Sequence, residues 1–155
     1  MPSITELPSG ERLGNRIKMC EQALISEKHR VLRPFGVTVP QYAALLVVAE
    51  HPMISSANLA RRCGVTAQAM TGVVNLLEGR GLISRVRSDD HAKVLLIQLT
   101  HTGERLLREA DKSAVEVERR LAGAFSAHDL ETFERLLGTA VAVLSAGPAA
   151  LDPQE

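Results

Sequence analysis

No apolar run in this chain approaches the roughly 20 residues that a bilayer-spanning helix needs, so a transmembrane segment is not expected. Cysteine is scarce as well. Cys20 and Cys63 are the only two, which is no disulfide framework. The opening residues, MPSITELPSGER, lack the basic start and apolar stretch of a secretory signal, and a cytoplasmic address is the expectation. A glycine-rich phosphate loop, an HExxH pair and a nucleophile elbow are also missing, and each would be needed for a familiar class of catalysis. The sequence therefore predicts no enzyme and no cofactor. Asp89, Asp90 and His91 form a run of possible metal ligands. Adjacent residues rarely converge on one ion, however, and no Cys or His cluster completes the set, so no metal is predicted. Ser126, His128 and Asp129 resemble a catalytic set only superficially, because Ser-x-x-Asp before an apolar run reads as a variant capping box.

Net charge is absent too: 18 basic side chains balance 18 acidic ones. Its distribution is uneven. Residues 1–54 carry six basic and five acidic groups, residues 55–100 six and three, and residues 101–155 six and ten. The middle of the chain is thus basic and the last third acidic, which permits nucleic-acid binding by the middle without establishing it.

What is present fits one domain of 155 residues with 45% hydrophobic content, enough to bury a core. Leu13, Ile17, Cys20, Leu24 and Val31 are spaced for one face of a helix over 10–33, stopped by Pro34 and Gly36. A second helix starts at Thr38 as N-cap, has Pro40 in its first turn, and runs to His51-Pro52. A short third helix, SSANLARRCG, is capped by Ser55 or Ser56, turns Leu59, Ala60 and Cys63 inward, and ends at Gly64 in the left-handed position. Thr66 caps a fourth helix that reaches about Gly79. The period then changes: LISRVR and KVLLIQL read as strands joined by SDDHA. The second is apolar on both faces, so part of it must be covered. A long helix follows from Thr100 or Thr102, with Leu106, Leu107, Ala110, Ala114, Val117 and Leu121 at helical spacing. A last helix starts at Ser126 and runs through Leu130, Phe133, Leu137 and Val141. The fold class is mainly α with a small β-hairpin. A short helix, a glycine-containing turn, a second helix and a hairpin make a winged helix-turn-helix.

The fourth helix has two dissimilar faces. Met70, Val73, Val74 and Leu77 form an apolar side, and Gln68, Thr71, Gly72 and Asn75 form an uncharged opposite side. A recognition helix in the major groove needs such a surface. Gln68 can pair bidentately with adenine, while Thr71 and Asn75 can reach base edges or thymine methyls. Gly72 costs about 1 kcal/mol inside a helix, and close approach of DNA is one reason to tolerate it. Thr66 can hold a phosphate at the helix N-terminus, although capping alone explains it. Arg85 and Arg87 are either phosphate contacts or surface charges. Lys93 can enter a narrow minor groove, with Asp89 and Asp90 either orienting Arg87 or Lys93 through ion pairs or simply solvated. Cys63 reads as a small core residue. Cys20 has Arg16 and Lys18 nearby, which can favour a reactive thiolate, but a buried structural thiol is the preferred reading. The first helix and the last two helices carry apolar stripes too extensive for the winged lobe to cover, so a homodimer is expected, with two recognition helices one DNA turn apart on a palindrome.

The run from VTVPQYAALLVVAEHP through ANLARRCGVTAQAMTGVVNLLEGRGLISR to HAKVLLIQLTHTGERLL resembles the MarR family of bacterial transcriptional regulators. The likeness follows element order over about 10–145 and is closest over 37–107. It implies a homodimeric repressor that binds a palindromic operator in double-stranded DNA and releases it on binding a small aromatic or phenolic ligand. It also implies a single domain over 1–155, with dimerisation helices over about 10–36 and 101–145 flanking a winged helix-turn-helix lobe over 37–100. The recognition helix maps to 66–79 and the wing to 84–99. The family's wing commonly carries Asp-x-Arg, where this chain has His91 and Lys93. A point charge thus replaces a planar fork. A ligand pocket near the dimer interface would draw on Arg16, His29, Tyr42 and Arg85. Two alternatives remain: a protein-interaction module that kept the fold without DNA binding, and a thiol-based redox regulator acting through Cys20.

Overall fold

The computed structural model describes residues 6–88 and 94–146. A 3-10 turn at Ser9–Glu11 leads into α1 (Leu13–Leu32), and a second at Arg33–Phe35 leads into α2 (Val39–Glu50). Then come β1 (Ile54–Ser55), α3 (Ser56–Arg62), α4 (Ala67–Gly79), β2 (Ile83–Arg87), β3 (Leu95–Leu99), α5 (His101–Ala122) and α6 (Ala127–Ala146). The three strands form one antiparallel sheet in the order β1-β3-β2. Ile54 pairs with Ile97 in β1–β3, and Arg85 pairs with Ile97 in β2–β3. This is a winged helix-turn-helix with long helices before and after it. The chain divides into two compact units, Met1–Val117 and Glu118–Glu155.

Capping residues set the helix boundaries. Thr38 and Gln41 make a reciprocal box: the Thr38 hydroxyl accepts from the Gln41 N–H at 3.4 Å, and the Gln41 side chain accepts from the Thr38 N–H at 3.0 Å. Ser55 accepts from the Asn58 N–H, Thr66 from the Ala69 N–H, and Thr100 from the Gly103 N–H. At α6 the Ser126 hydroxyl accepts from the Asp129 N–H at 3.1 Å and donates to the Asp129 carboxylate at 2.6 Å, so Ser126 and Asp129 serve the helix start. The α3–α4 turn closes as a Schellman motif. The Val65 N–H donates to the Ala60 carbonyl, the Gly64 N–H donates to that of Arg61, and Gly64 takes a φ of 65°.

In the first unit Leu32, Leu45, Leu59, Met70, Leu77 and Ile97 are fully buried in one cluster with Ala110 and Ala114 of α5. Burying each large aliphatic side chain is worth about 1.5–3 kcal/mol. The expectation that β3 is partly covered holds: Ile97 is buried while Leu95 is exposed. In the second unit the Phe125 and Phe133 rings stack at 5.3 Å, yet no described residue of α6 is buried.

One expectation needs correcting, and one short element was not expected. Cys20 is exposed rather than a buried structural thiol. The reason is that Leu13, Ile17 and Met19 around it are exposed as well, so this part of α1 lies outside the core. Cys63, by contrast, is half-buried and packs against the core cluster, as expected. The short strand β1 was not foreseen, since two residues carry no period; it is held by pairing with β3 and by the buried Ile54 side chain.

The link from wing to α5 is the tightest joint in the fold. The Thr100 hydroxyl donates to the Gly81 carbonyl at 2.6 Å, and the Thr100 N–H donates to that of Leu82 at 3.1 Å. A Cβ on Gly103 would lie 1.9 Å from the Leu82 carbonyl oxygen. Gly103→Ala is therefore expected to cost at least about 2 kcal/mol through overpacking against backbone, read as a lowered denaturant midpoint. An unchanged midpoint would remove this joint from the account. Thr66→Ala should cost about 1 kcal/mol by loss of the cap, with Thr66→Ser close to wild type.

Candidate nucleic-acid interface

The surface that α4 offers follows from how its other side is anchored. Met70, Val74 and Leu77 are buried, which turns Gln68, Thr71, Gly72 and Asn75 outward, all of them exposed. The structure thus brings the three predicted readout residues, with Gly72, onto one uncharged face. An added Cβ on Gly72 meets nothing within 4 Å, so no packing among the described residues demands glycine there. Thr71 spends its hydroxyl proton on the Ala67 carbonyl at 2.9 Å, leaving a methyl group and an acceptor. Thr66 sits at the helix N-terminus, exposed, with its hydroxyl on the Ala69 N–H at 3.1 Å.

Beside this face lies the wing. Arg85 in β2 is half-buried. Its Nη2 donates to the Asn75 carbonyl oxygen and lies 3.2 Å from a Glu78 carboxylate oxygen. Its Nε is buried without a hydrogen-bond partner among the described residues. Arg87, at the end of β2, is exposed. The Ser88 N–H donates to the Val94 carbonyl at 2.9 Å, which closes the hairpin. Asp89, Asp90, His91 and Lys93 lie outside the described residues, and with them the expected wing-tip role of Lys93 and the discounted metal run. Among the described residues no group of His, Cys, Asp or Glu could hold a metal ion.

A further cationic surface escaped the sequence reading. His51, Asn58, Arg61 and Arg62 line a depression of about 550 Å³ with Pro52, Met53 and Ile54, and no carboxylate lines it among the described residues. The only sequence signal was the Arg61-Arg62 pair on the outer side of α3. Arg80, by contrast, is committed within the fold, where Nη1 donates to the Gly36 carbonyl at 2.7 Å.

The four residues expected to line a ligand pocket are not brought together. Arg16 borders a depression of about 290 Å³ at the start of α1, and Arg85 borders another of about 400 Å³ with Thr71 and Val94. His29 is exposed on α1. Tyr42 is buried, and its hydroxyl donates to Asp111 at 2.6 Å, tying α2 to α5. Burial pushes the Cys63 thiol above its ordinary value, which disfavours the reactive thiolate.

Comparison with known proteins agrees with this geometry. Residues 35–93 match the family model described as "MarR family". The HTH-type transcriptional repressor Rv2887 of Mycobacterium tuberculosis is 31% identical over 125 residues, covering 81% of this chain and 90% of the relative. Among solved structures, the transcriptional repressor CouR bound to a 23-mer DNA duplex superposes with a TM-score of 0.78 at 26% identity, over 88% of this chain and 99% of that one. Rv2887 in complex with salicylic acid superposes with a TM-score of 0.67 at 30% identity, over 86% and 99%. By its capped recognition helix, its wing and these likenesses, the chain belongs to the MarR family.

Proposed function

We propose that this protein is a ligand-responsive transcriptional repressor that binds a palindromic operator as a homodimer. The observation that carries the reading is the exposed, uncharged face of α4, held out from the core by Met70, Val74 and Leu77. Its side chains can touch base edges without bringing a charge that must be desolvated. Gln68, Thr71 and Asn75 are the base-reading residues, and Gly72 admits the DNA backbone or bases closely. Thr66 and Arg87 contact phosphates, and Arg61 and Arg62 add positive charge on α3. CouR was solved with DNA and Rv2887 with salicylic acid, and the same pair of ligand classes is the reading for this chain. A small aromatic ligand acts by preferring the dimer state whose recognition helices misfit the operator spacing.

Dimerisation is the reading for the bare apolar surfaces. Leu13, Ile17 and Met19 on α1 are exposed, as are Leu136, Val141 and Leu144 on α6, the last to 79%. Apolar patches of this kind mark association sites, and a symmetric pair covers them on both copies at once.

Selection of bound duplexes from a random pool, followed by anisotropy titration at two salt concentrations, tests the reading. A palindrome should emerge, with affinity falling steeply as salt rises through counterion release. Gln68→Ala should cost about 1–3 kcal/mol of discrimination at one symmetric pair of positions. Gly72→Ala should stabilise the fold by up to about 1 kcal/mol while weakening DNA binding. No enriched sequence and weak binding at low salt would overturn the DNA reading. Sedimentation should show a dimer that Leu144→Glu shifts toward monomer; a monomeric wild type at micromolar concentration would refute the dimer.

A further inference from the structure

Arg85 was expected to hold a phosphate or line a ligand pocket, and the structure gives it a different neighbourhood. Its guanidinium reaches back from β2 onto α4, where Nη2 meets the Asn75 carbonyl oxygen and the Glu78 carboxylate. A guanidinium carries only donors. Whatever faces it on the Asn75 amide must therefore be the carbonyl oxygen, so the orientation of that amide is dictated by chemistry. Glu78 lies one turn beyond Asn75 on α4 and holds the same Nη2 at 3.2 Å, which keeps Arg85 against the helix. The Arg85 side chain is 25% exposed and its Nε is buried, so the group is seated rather than swinging in solvent.

The consequence falls on Asn75, which is exposed on the face that α4 turns outward. A free asparagine reads adenine by offering acceptor and donor together to N6 and N7. Here a cation already holds one of the two lone pairs of that oxygen, which weakens it as an acceptor for a second donor, and its field polarises the amide toward donation. We infer that Arg85 is a positioning residue that presents Asn75 as a hydrogen-bond donor, so that the operator base facing Asn75 is one with major-groove acceptors only, guanine or thymine. Guanine offers N7 and O6, and thymine offers O4. The inference rests on α4 lying in the major groove, as proposed above.

The test is duplex selection with wild type, Asn75→Ala, Arg85→Met and Arg85→Lys, each first checked for a cooperative thermal melt. For wild type, guanine or thymine should be preferred over adenine by about fivefold to tenfold at one symmetric pair of positions. Asn75→Ala should flatten that pair alone. Arg85→Met should abolish the same preference and admit adenine there, leave the other positions unchanged, and leave the salt slope unchanged, because no phosphate contact is lost. Arg85→Lys retains a donor cation and should recover part of the preference. In the DNA-free protein, the side-chain NH2 resonances of Asn75, identified by their loss in Asn75→Ala, should move in Arg85→Met. Adenine at the Asn75 position of the wild-type site would overturn the inference. So would an Arg85→Met profile that weakens all sequences evenly and lowers the salt slope by about one, which is the signature of a phosphate contact. An Asn75 resonance blind to Arg85 would overturn it even if a variant bound DNA poorly. No enriched sequence for wild type would remove the DNA reading and this inference with it, an outcome distinct from the others.

Discussion

The seating of Gly103 on the carbonyl of Leu82 is the constraint around which the DNA-facing surface is arranged. Only a residue without a Cβ fits there, and Thr100 closes the joint by bonding to both Gly81 and Leu82. On the other side of the joint, the Leu82 N–H donates to the Leu77 carbonyl and the Gly81 N–H to that of Glu78. The end of α4, the root of β2 and the start of α5 are thus fastened within a few residues. Arg85 stands three residues beyond Leu82, and its reach to Asn75 depends on β2 leaving α4 at that fixed point. The start of α5 is accordingly tied to both the wing root and the end of the recognition helix. That is the kind of stiff coupling that a ligand-responsive regulator requires.

The two faces of α4 answer to different partners. The inner one, Met70, Val74 and Leu77, is satisfied by the core. The outer one is polar without being charged, and two of its groups have their polarity set by the fold. Thr71 has given its proton to Ala67 and Asn75 has given its oxygen to Arg85. A recognition surface built this way has fewer hydrogen-bonding options than its residue names suggest, and restricting those options is one route to specificity.

Much of the architecture was legible because it is written in local chemistry. Thr38, Ser55, Thr66, Thr100 and Ser126 each cap a helix through the residue three positions on, and Gly64 marks the turn by its left-handed φ. The outward face of α4 was legible for the same reason, since helical period alone separates Gln68, Thr71, Gly72 and Asn75 from the buried side. What the sequence hid depends on tertiary placement. The Arg85–Asn75–Glu78 contact joins residues brought together by the turn between α4 and β2. The Tyr42–Asp111 bond spans 69 positions, and no period announces it. The exposure of Cys20 was hidden because an apolar stripe on α1 reads alike whether its cover is this chain or another copy.

Whether α4 is the DNA-facing element is best decided by amide hydrogen exchange with and without the duplex recovered by selection. DNA should slow exchange most across residues 66–76 of the recognition helix, with lesser protection along β2. Protection confined to α1 or α6, with α4 exchanging as fast as in the free protein, would contradict it.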